Sequence, residues 1–345
     1  MKKRILSGMR PTGPLHLGHL VGALENWVRL QDEYECFFMV ADWHALMSEY
    51  EDPSMIKEYS DGMVLDWLSI GIDFNKSTIF LQSDVKEHLE LYMILSTLTP
   101  LGWLERCPTY KEQLRENKTR NLATYAFLGY PVLQAADILL YKANTVPVGE
   151  DQKAHLELTR EIARRFNNLY GDEYDDKSAL LEPEGLFTKT PRLLGLDGRK
   201  MSKSFDNYIA LSDPPEVIRK KVSGMFTDPK RIKLTDKGHP EKCNVHTYYN
   251  IFAEKVNVPK SEIVKVAYDC RQAKIGCTEC KKNLAEILIE YLQGIHTRRE
   301  ELKKMNVREI TIQGAKKAKK VASETLTKVK TTMDIPPPVR LEDIL

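Results

Sequence analysis

Two short stretches, far apart in the chain, carry residues suited to phosphate chemistry. In His16-Leu17-Gly18-His19 the histidines stand three apart. That spacing puts both rings on one face of a first helical turn, where both can donate to the same phosphate oxygens. The stretch before them, Ser7-Gly8-Met9-Arg10-Pro11-Thr12-Gly13, has glycines that let the backbone turn sharply. A helix that starts there offers unpaired N–H groups and a positive dipole end to an anion. Gly18 leaves the helix backbone bare, so an adenine or ribose could lie against it. Downstream, Lys200-Met201-Ser202-Lys203-Ser204 follows Leu196-Asp197-Gly198-Arg199, a turn with a flexible glycine. Cationic groups on a loop that closes over a departing pyrophosphate stabilise the transition state more than the ground state. Alone, the first stretch reads equally well as surface histidines and the second as a basic loop. Together and in this order they read as one site that handles ATP.

Two further constellations stand out. Tyr130, Gln134 and Asp137 fall on one helix face at steps of four and three. An aromatic wall ending in a carboxylate suits an aromatic amino acid with a single donor, because a ligand lacking the donor would leave a buried acceptor unpaired. A helix N-cap or a salt-bridged Asp is the structural alternative. Cys243, Cys270, Cys277 and Cys280 form a C-x26-C-x6-C-x2-C series. Thiolates in this number suit an Fe–S cluster or Zn²⁺. Zinc sites more often show two C-x2-C pairs and only one is present, so a cluster is expected, with zinc and unliganded thiols as alternatives. Cys36 and Cys107 read as ordinary buried thiols.

These residues need a frame. Apolar strands are expected at Arg4–Ser7, Cys36–Ala41, Ser77–Leu81 and Thr145–Val148, with helical periods over Leu17–Leu30, Pro53–Ser69 and Glu87–Leu98 between them. Near-continuous apolar strands alternating with helices predict an α/β, Rossmann-like, doubly wound parallel sheet covered on both faces. Ligands of such sheets sit beyond the carboxyl ends of the strands, which places Gly8–Gly13, Asp42–His44 and Gly149–Gln152 around one crevice. From about Pro214 onward, Lys-rich helices replace the strand pattern. A last helix carries a narrow apolar stripe of Ala315, Ala318, Ala322, Leu326, Val329 and Met333. Its lysines read as a solvated face or as an RNA-binding stripe. Pro336-Pro337-Pro338 then ends helix formation.

Composition narrows the setting. With 345 residues the chain has room for two domains. Lys plus Arg (51) nearly balances Asp plus Glu (49), so any nucleic-acid contact must come from local patches. No segment approaches the roughly 20 apolar residues of a membrane span. The first residues lack a signal-peptide core. Six cysteines in so long a chain are no disulfide framework, and a cytoplasmic protein is expected.

The paired motifs resemble the two ATP-handling motifs of class I aminoacyl-tRNA synthetases. Nearly the whole chain is similar to the bacterial tryptophanyl-tRNA synthetases. Matching stretches include Val40-Ala41-Asp42-Trp43-His44-Ala45, Tyr130 to Asp137, Pro147-Val148-Gly149-Glu150-Asp151-Gln152, His155 to Glu161, and Gly314-Ala315-Lys316-Lys317-Ala318. The resemblance implies a tryptophan–tRNA ligase: L-tryptophan and ATP form tryptophanyl-adenylate and pyrophosphate, and tryptophan then passes to tRNA(Trp). It places Leu6, His44, Tyr130, Gln134, Asp137 and Gln152 around tryptophan, with the indole N–H on Asp137. It places Arg10, Pro11, Thr12, Gly18, His19, Gly149, Glu150, Asp151, Met201 and Ser204 around ATP. His16, His19, Lys200, Ser202 and Lys203 would stabilise the pentavalent phosphorus, and Mg²⁺ would arrive with the ATP phosphates.

The same resemblance implies a catalytic domain over 1–205, a helical anticodon-binding domain over 206–310, and a C-terminal helix and tail over 311–345 packing back near the catalytic domain. It also implies a homodimer. A subset of the family carries a four-cysteine [4Fe-4S] motif ending in the same C-x6-C-x2-C. Tyrosyl-tRNA synthetases resemble the Tyr130–Asp137 segment too, and Gln134 is closer to their pattern, so tyrosine stands as the alternative substrate. A small-molecule nucleotidyltransferase or a non-catalytic RNA-binding paralogue are the remaining readings. The first would lack the aromatic pocket and the second would have lost His19 or Lys203.

Overall fold

In the computed structural model, which describes residues 2–116, 121–149, 152–171, 179–187, 193–201 and 203–336, the chain enters through strand β1 (Arg4–Met9). It continues into α1 (Leu17–His19), a π-helical turn at Leu20–Leu24 and α2 (Glu25–Glu33). Then come β2 (Glu35–Val40), α3 (Asp42–Glu49), α4 (Ile56–Ser69) and β3 (Thr78–Leu81). Helices α5 (Glu87–Leu98), α6 (Leu101–Glu105), α7 (Pro108–Glu116) and α8 (Tyr125–Leu140) lead to β4 (Thr145–Val148), α9 (Lys153–Tyr170) and β5 (Glu184–Phe187).

The strands form one sheet in the order β3-β2-β1-β4-β5, and every adjacent pair is parallel. This is the expected Rossmann-like α/β sheet. Its strand order reverses between β1 and β4, and that switch point opens a crevice at the strand ends. Both faces are covered, which is why the strands are apolar without alternation. Ile5, Phe38 and Val40 join a core with Trp27 and Trp67, whereas Leu6, Phe37 and Met39 point to the opposite core with Phe80 and Leu139. The Trp27 and Phe38 rings stack at 4.6 Å. The expected strands shift by a residue or two at their ends, while β5 was not foreseen from sequence. Its Glu-Gly-Leu-Phe is too short to show a period, and it is set by pairing with β4 from Thr145↔Glu184 to Val148↔Phe187.

Beyond the sheet come α10 (Pro215–Ser223), α11 (Asn244–Ala253), α12 (Lys260–Arg271) and α13 (Cys277–Leu302). Their buried residues, among them Tyr248, Phe252, Leu284 and Leu288, belong to the same core as Ile5 and Trp67. Arg299 Nε donates to the buried Asp66 carboxylate at 2.7 Å, tying α13 to α4. The last helix, α14 (Val307–Thr332), crosses back to β3 and buries Ala315, Ala318, Ala322, Leu326 and Val329 in the core that holds Phe37 and Phe80. Gly314 permits that approach: a Cβ there would lie 1.8 Å from the Ile79 carbonyl oxygen. Lys316, Lys317, Lys319 and Lys320 face solvent. Among the described residues, no helix is long and apolar enough to cross a membrane.

Candidate active site

At the switch point the structure opens a cavity of about 350 Å³. The end of β1 (Leu6 to Arg10) and the end of β4 with Gly149 form two walls. The other walls come from Gly22 and Ala23 of the π turn, His44 and Met47 of α3, and Tyr130, Gln134 and Asp137 of α8. A π turn adds a residue to the helical register, a local irregularity often found at functional sites. Here it presents two small residues to the cavity. Gly8 is required where β1 passes β2, since a Cβ would stand 2.9 Å from the Met39 carbonyl oxygen.

Asp137 lies at one end of this cavity, 3% exposed. His44 Nε2 meets its Oδ2 at 2.8 Å, and its Oδ1 meets Gln82 Nε2 at 2.8 Å and His88 Nδ1 at 2.6 Å. Burial alone would push the carboxyl up, but His88 and His44 outweigh it and hold the group at about 2. Asp137 is therefore a carboxylate. Among the described residues it caps no helix, and its ionic partners are His44 and His88 rather than Lys or Arg. An ionised carboxylate has about four acceptor positions, so three donors leave capacity on Oδ2, the oxygen that meets the cavity-lining His44. At another wall, the Tyr130 hydroxyl lies 2.7 Å from His155 Nε2, and His155 Nδ1 lies 2.9 Å from Gln152 Oε1. An amide oxygen only accepts, so Nδ1 carries the proton, and in the neutral ring Nε2 is left to accept from Tyr130. The chain of bonds orients Gln152.

The phosphate-type residues meet beside this cavity. The His16 and His19 rings stack at 3.7 Å. The His16 backbone N–H donates to His19 Nδ1 at 3.2 Å, which leaves the His19 proton on Nε2. His16 Nδ1 is buried with no partner among the described residues. Such an atom is costly unless a ligand satisfies it, and a phosphate group fits that need. Burial, and then Lys203, pushes His16 down to about 3. His19 is held well below its usual range by burial, then by His16 and Lys203. Both are uncharged donors at neutral pH. Lys203 Nζ donates to the Gly13 carbonyl at 2.9 Å, and burial followed by Arg10 lowers its pKa to about 8. Met201 rests on Gly18, where a Cβ would stand 2.8 Å from the Met201 sulfur.

Backbone bonds fix this meeting. Leu17 N–H donates to Ile209 O at 3.1 Å and Leu211 N–H to Leu15 O at 2.9 Å, stitching the exit of the lysine loop to the histidine helix. Asn207 Nδ2 reaches Asp197 Oδ1 at 2.8 Å and the Lys200 carbonyl at 3.1 Å, closing the base of the loop.

Of the residues named from sequence, Leu6, Arg10, His44, Tyr130, Gln134, Asp137, Gly149 and Gln152 line the one cavity. His16, Gly18, His19, Met201 and Lys203 cluster beside it. Pro11 and Thr12 form the tight turn after β1, with Thr12 N–H on Arg10 O at 2.9 Å, and do not line the cavity. Lys200 is not brought to the histidines: its Nζ lies 3.3 Å from Glu112 on α7. Glu150, Asp151 and Ser202 lie outside the described residues, and Ser204 is placed only within a 3₁₀ turn at Lys203–Phe205. Sequence reasoning missed Gln82, His88, Tyr141, Asn207 and the π turn. Nothing in their spacing ties Gln82 or His88 to Asp137.

The expectation at Cys243, Cys270, Cys277 and Cys280 is corrected. Among the described residues, no group of three or more His, Cys, Asp or Glu is arranged to hold a metal ion, so neither a [4Fe-4S] cluster nor Zn²⁺ is assigned. All four are free cysteines. Burial, then Cys243, Cys270 and Cys277, pushes the Cys280 thiol up to about 12, and burial also raises Cys270. Metal ligation needs thiolates, whereas burial favours the protonated form at Cys270 and Cys280. The Cys270 sulfur accepts instead from Arg231 Nη1 at 3.7 Å.

Comparison with known proteins agrees with this geometry. Residues 1–293 match the family of class I tRNA synthetases (W and Y). The chain is 48% identical to a tryptophan–tRNA ligase of Thermotoga maritima over 338 residues, covering 96% of this chain and 99% of that one. It is 40% identical to the tryptophan–tRNA ligase of Aquifex aeolicus, over 96% of this chain and all of the other. Its fold matches a crystal structure of tryptophanyl-tRNA synthetase from Campylobacter jejuni complexed with ADP and tryptophane, with a TM-score of 0.84 and 34% identity over 96% of this chain and 100% of that one.

Proposed function

Since the chain belongs to the class I tRNA synthetases of the tryptophan and tyrosine branch, we propose that it is a tryptophan–tRNA ligase whose cavity holds L-tryptophan with the indole N–H on Asp137. The observation that carries this reading is one continuous site: an ionised acceptor inside a largely apolar cavity, beside a cluster of imidazole and ammonium donors. The chain forms tryptophanyl-adenylate and pyrophosphate, then transfers tryptophan to tRNA(Trp).

In the first step a carboxylate oxygen of tryptophan attacks the α-phosphorus of ATP. A new O–P bond forms as the bond to pyrophosphate breaks. The nucleophile is already ionised, so no general base is needed and the protein contributes positioning and charge stabilisation. Tyr130, Gln134, Gln152 and His44 orient the amino acid. Arg10, Gly18, Gly149 and Met201 hold the nucleotide, while His16, His19 and Lys203 donate to the phosphates. Lys200 joins them after leaving Glu112. Mg²⁺ comes with ATP as part of the substrate. Residues 1–205 serve catalysis, 206–310 the anticodon, and 311–345 close the C-terminus. The enzyme works in the cytoplasm as a two-fold homodimer. Exposed Met93 and Leu101, on helices α5 and α6 that each pack against α8, and exposed Tyr125 on α8 itself support that association.

ATP–pyrophosphate exchange with tryptophan and tyrosine in parallel tests the assignment. Exchange with tryptophan alone is expected. Exchange with tyrosine alone would move the substrate to tyrosine, and exchange with neither would overturn the ligase reading.

A further inference from the structure

His88 has no solvent-exposed surface and does not line the cavity, so it never touches the amino acid. It is nonetheless held between two groups. Its Nε2 lies 2.8 Å from the Tyr141 hydroxyl and its Nδ1 lies 2.6 Å from Asp137 Oδ1. An ionised Asp137 only accepts, so Nδ1 must carry a proton. Burial pushes the Tyr141 hydroxyl far above its usual pKa, so it keeps its proton and can donate to Nε2 of the neutral imidazole. With the imidazole neutral, the bonds run in one direction, from Tyr141 through His88 to Asp137. Phe80 and Tyr141 flank the imidazole, with ring centres 6.2 Å and 5.4 Å away, and limit its rotation.

Gln82 completes the arrangement. Its Oε1 accepts from the His44 backbone N–H at 3.4 Å, which turns its Nε2 onto the same Oδ1. Oδ1 is thus filled by two donors from outside the cavity, and only Oδ2 retains capacity.

We propose that His88, backed by Tyr141, is the positioning residue for amino-acid selectivity: it fixes Asp137 so that Oδ2 demands a donor from the ligand. The inference rests on the preceding assignment of the indole N–H to Asp137. A ligand of the same shape without that N–H leaves Oδ2 underused in a buried site, and such sites discriminate strongly. Without His88 the carboxylate can turn and meet water or a neighbour instead, and the demand is lost.

The test is ATP–pyrophosphate exchange with L-tryptophan and with L-3-benzothienylalanine, in which sulfur replaces the indole N–H. The unsubstituted enzyme is expected to favour tryptophan in kcat/KM by about 100-fold or more. In His88→Leu the KM for tryptophan rises roughly 10- to 100-fold, kcat stays within about threefold, and the analogue's KM hardly moves, so the preference collapses. His88→Asn, whose amide N–H can stand in for Nδ1–H, restores most of it. Tyr141→Phe removes a single oxygen and gives a smaller loss in the same direction, which keeps the test valid if His88→Leu does not fold. Equal losses for both amino acids, or a preference retained in His88→Leu and Tyr141→Phe, would overturn the role of His88. No preference in the unsubstituted enzyme would locate the failure in the Asp137 assignment itself, and the inference would go with it.

Discussion

Lys203 Nζ donates to the carbonyl of Gly13 at 2.9 Å, although 190 residues separate them. The bond brings the lysine loop onto the turn that precedes the paired histidines. Gly13 has φ +142°, a conformation open to glycine, and a Cβ there would stand 2.9 Å from Lys203 Cδ. Gly13 is therefore needed twice, for its backbone and for the space above it.

Gly13→Ala should displace Lys203 and strain the turn. The exchange rate is expected to fall about 10- to 100-fold, with a loss of about 1–3 kcal/mol in stability. Exchange kinetics beside a thermal melt measure both. Unchanged kinetics would show that Lys203 does not depend on this turn.

Lys203 sets a pH dependence. Its pKa in the nucleotide-free protein is lowered to about 8 from 10.5, and phosphate binds the ammonium form. The kcat/KM for ATP should be level below pH 8 and fall up to about tenfold per unit above it. Lys203→Arg should remove that limb while Lys203→Met lowers kcat by about 100-fold or more. For stability the sign is opposite to that of a stabilising ion pair. The fold disfavours the charged lysine, so the penalty is complete below pH 8 and is relieved as pH rises from 8 towards 10.5. A stability profile of the nucleotide-free enzyme against Lys203→Met should show that rise. His16, already held at about 3, should add no limb between pH 5 and 7.

Asp137→Asn keeps the shape but turns an amide N–H towards donors. The KM for tryptophan should rise about 100-fold or more, with about 1–3 kcal/mol of stability lost. The native carboxyl is held at about 2, below its unfolded value near 3.8. Its contribution is complete above pH 3.8 and disappears as pH falls towards 2, so wild type and variant should differ by a constant amount above pH 5. Isothermal titration with tryptophan and pH-dependent melts test these outcomes. Unaltered tryptophan affinity would remove Asp137 from the pocket.

Gly314→Ala reverses a common rule. Replacing an interior helix glycine by alanine usually stabilises by about 1 kcal/mol. Here the new Cβ would meet the Ile79 carbonyl oxygen at 1.8 Å, so the helix must leave β3 at an overpacking cost of about 1–3 kcal/mol. A lower melting temperature is expected, and a higher one would show that the helix stands clear of the strand.

Much of the site could be read before the fold was seen because its residues lie close together in sequence. His16 and His19 share one turn, and Tyr130, Gln134 and Asp137 share one helix face, so helical geometry alone determines their proximity. Apolar runs at Ile5–Leu6 and Phe37–Val40 specify a sheet buried on both sides because period and composition are local properties. What lay beyond reach were relations between segments. The placement of Gln82 and His88 on Asp137 depends on how the chain after β3 and the start of α5 pack against α8. The resting pair of Lys200 with Glu112 depends on where α7 falls. The cysteine series shows why spacing alone misleads: a repeat in sequence does not by itself make a metal site, and among the described residues no metal-holding group forms.

By itself, then, the sequence determined the alternating elements, the paired-histidine and lysine–serine motifs and the helix face shared by Tyr130, Gln134 and Asp137, since each arises from contacts within a few residues. The tertiary structure alone decided which lysine meets the histidines, what charge Asp137 carries and which of its oxygens is left for a ligand. Those outcomes depend on burial and on donors arriving from distant segments, and both exist only once the chain has packed.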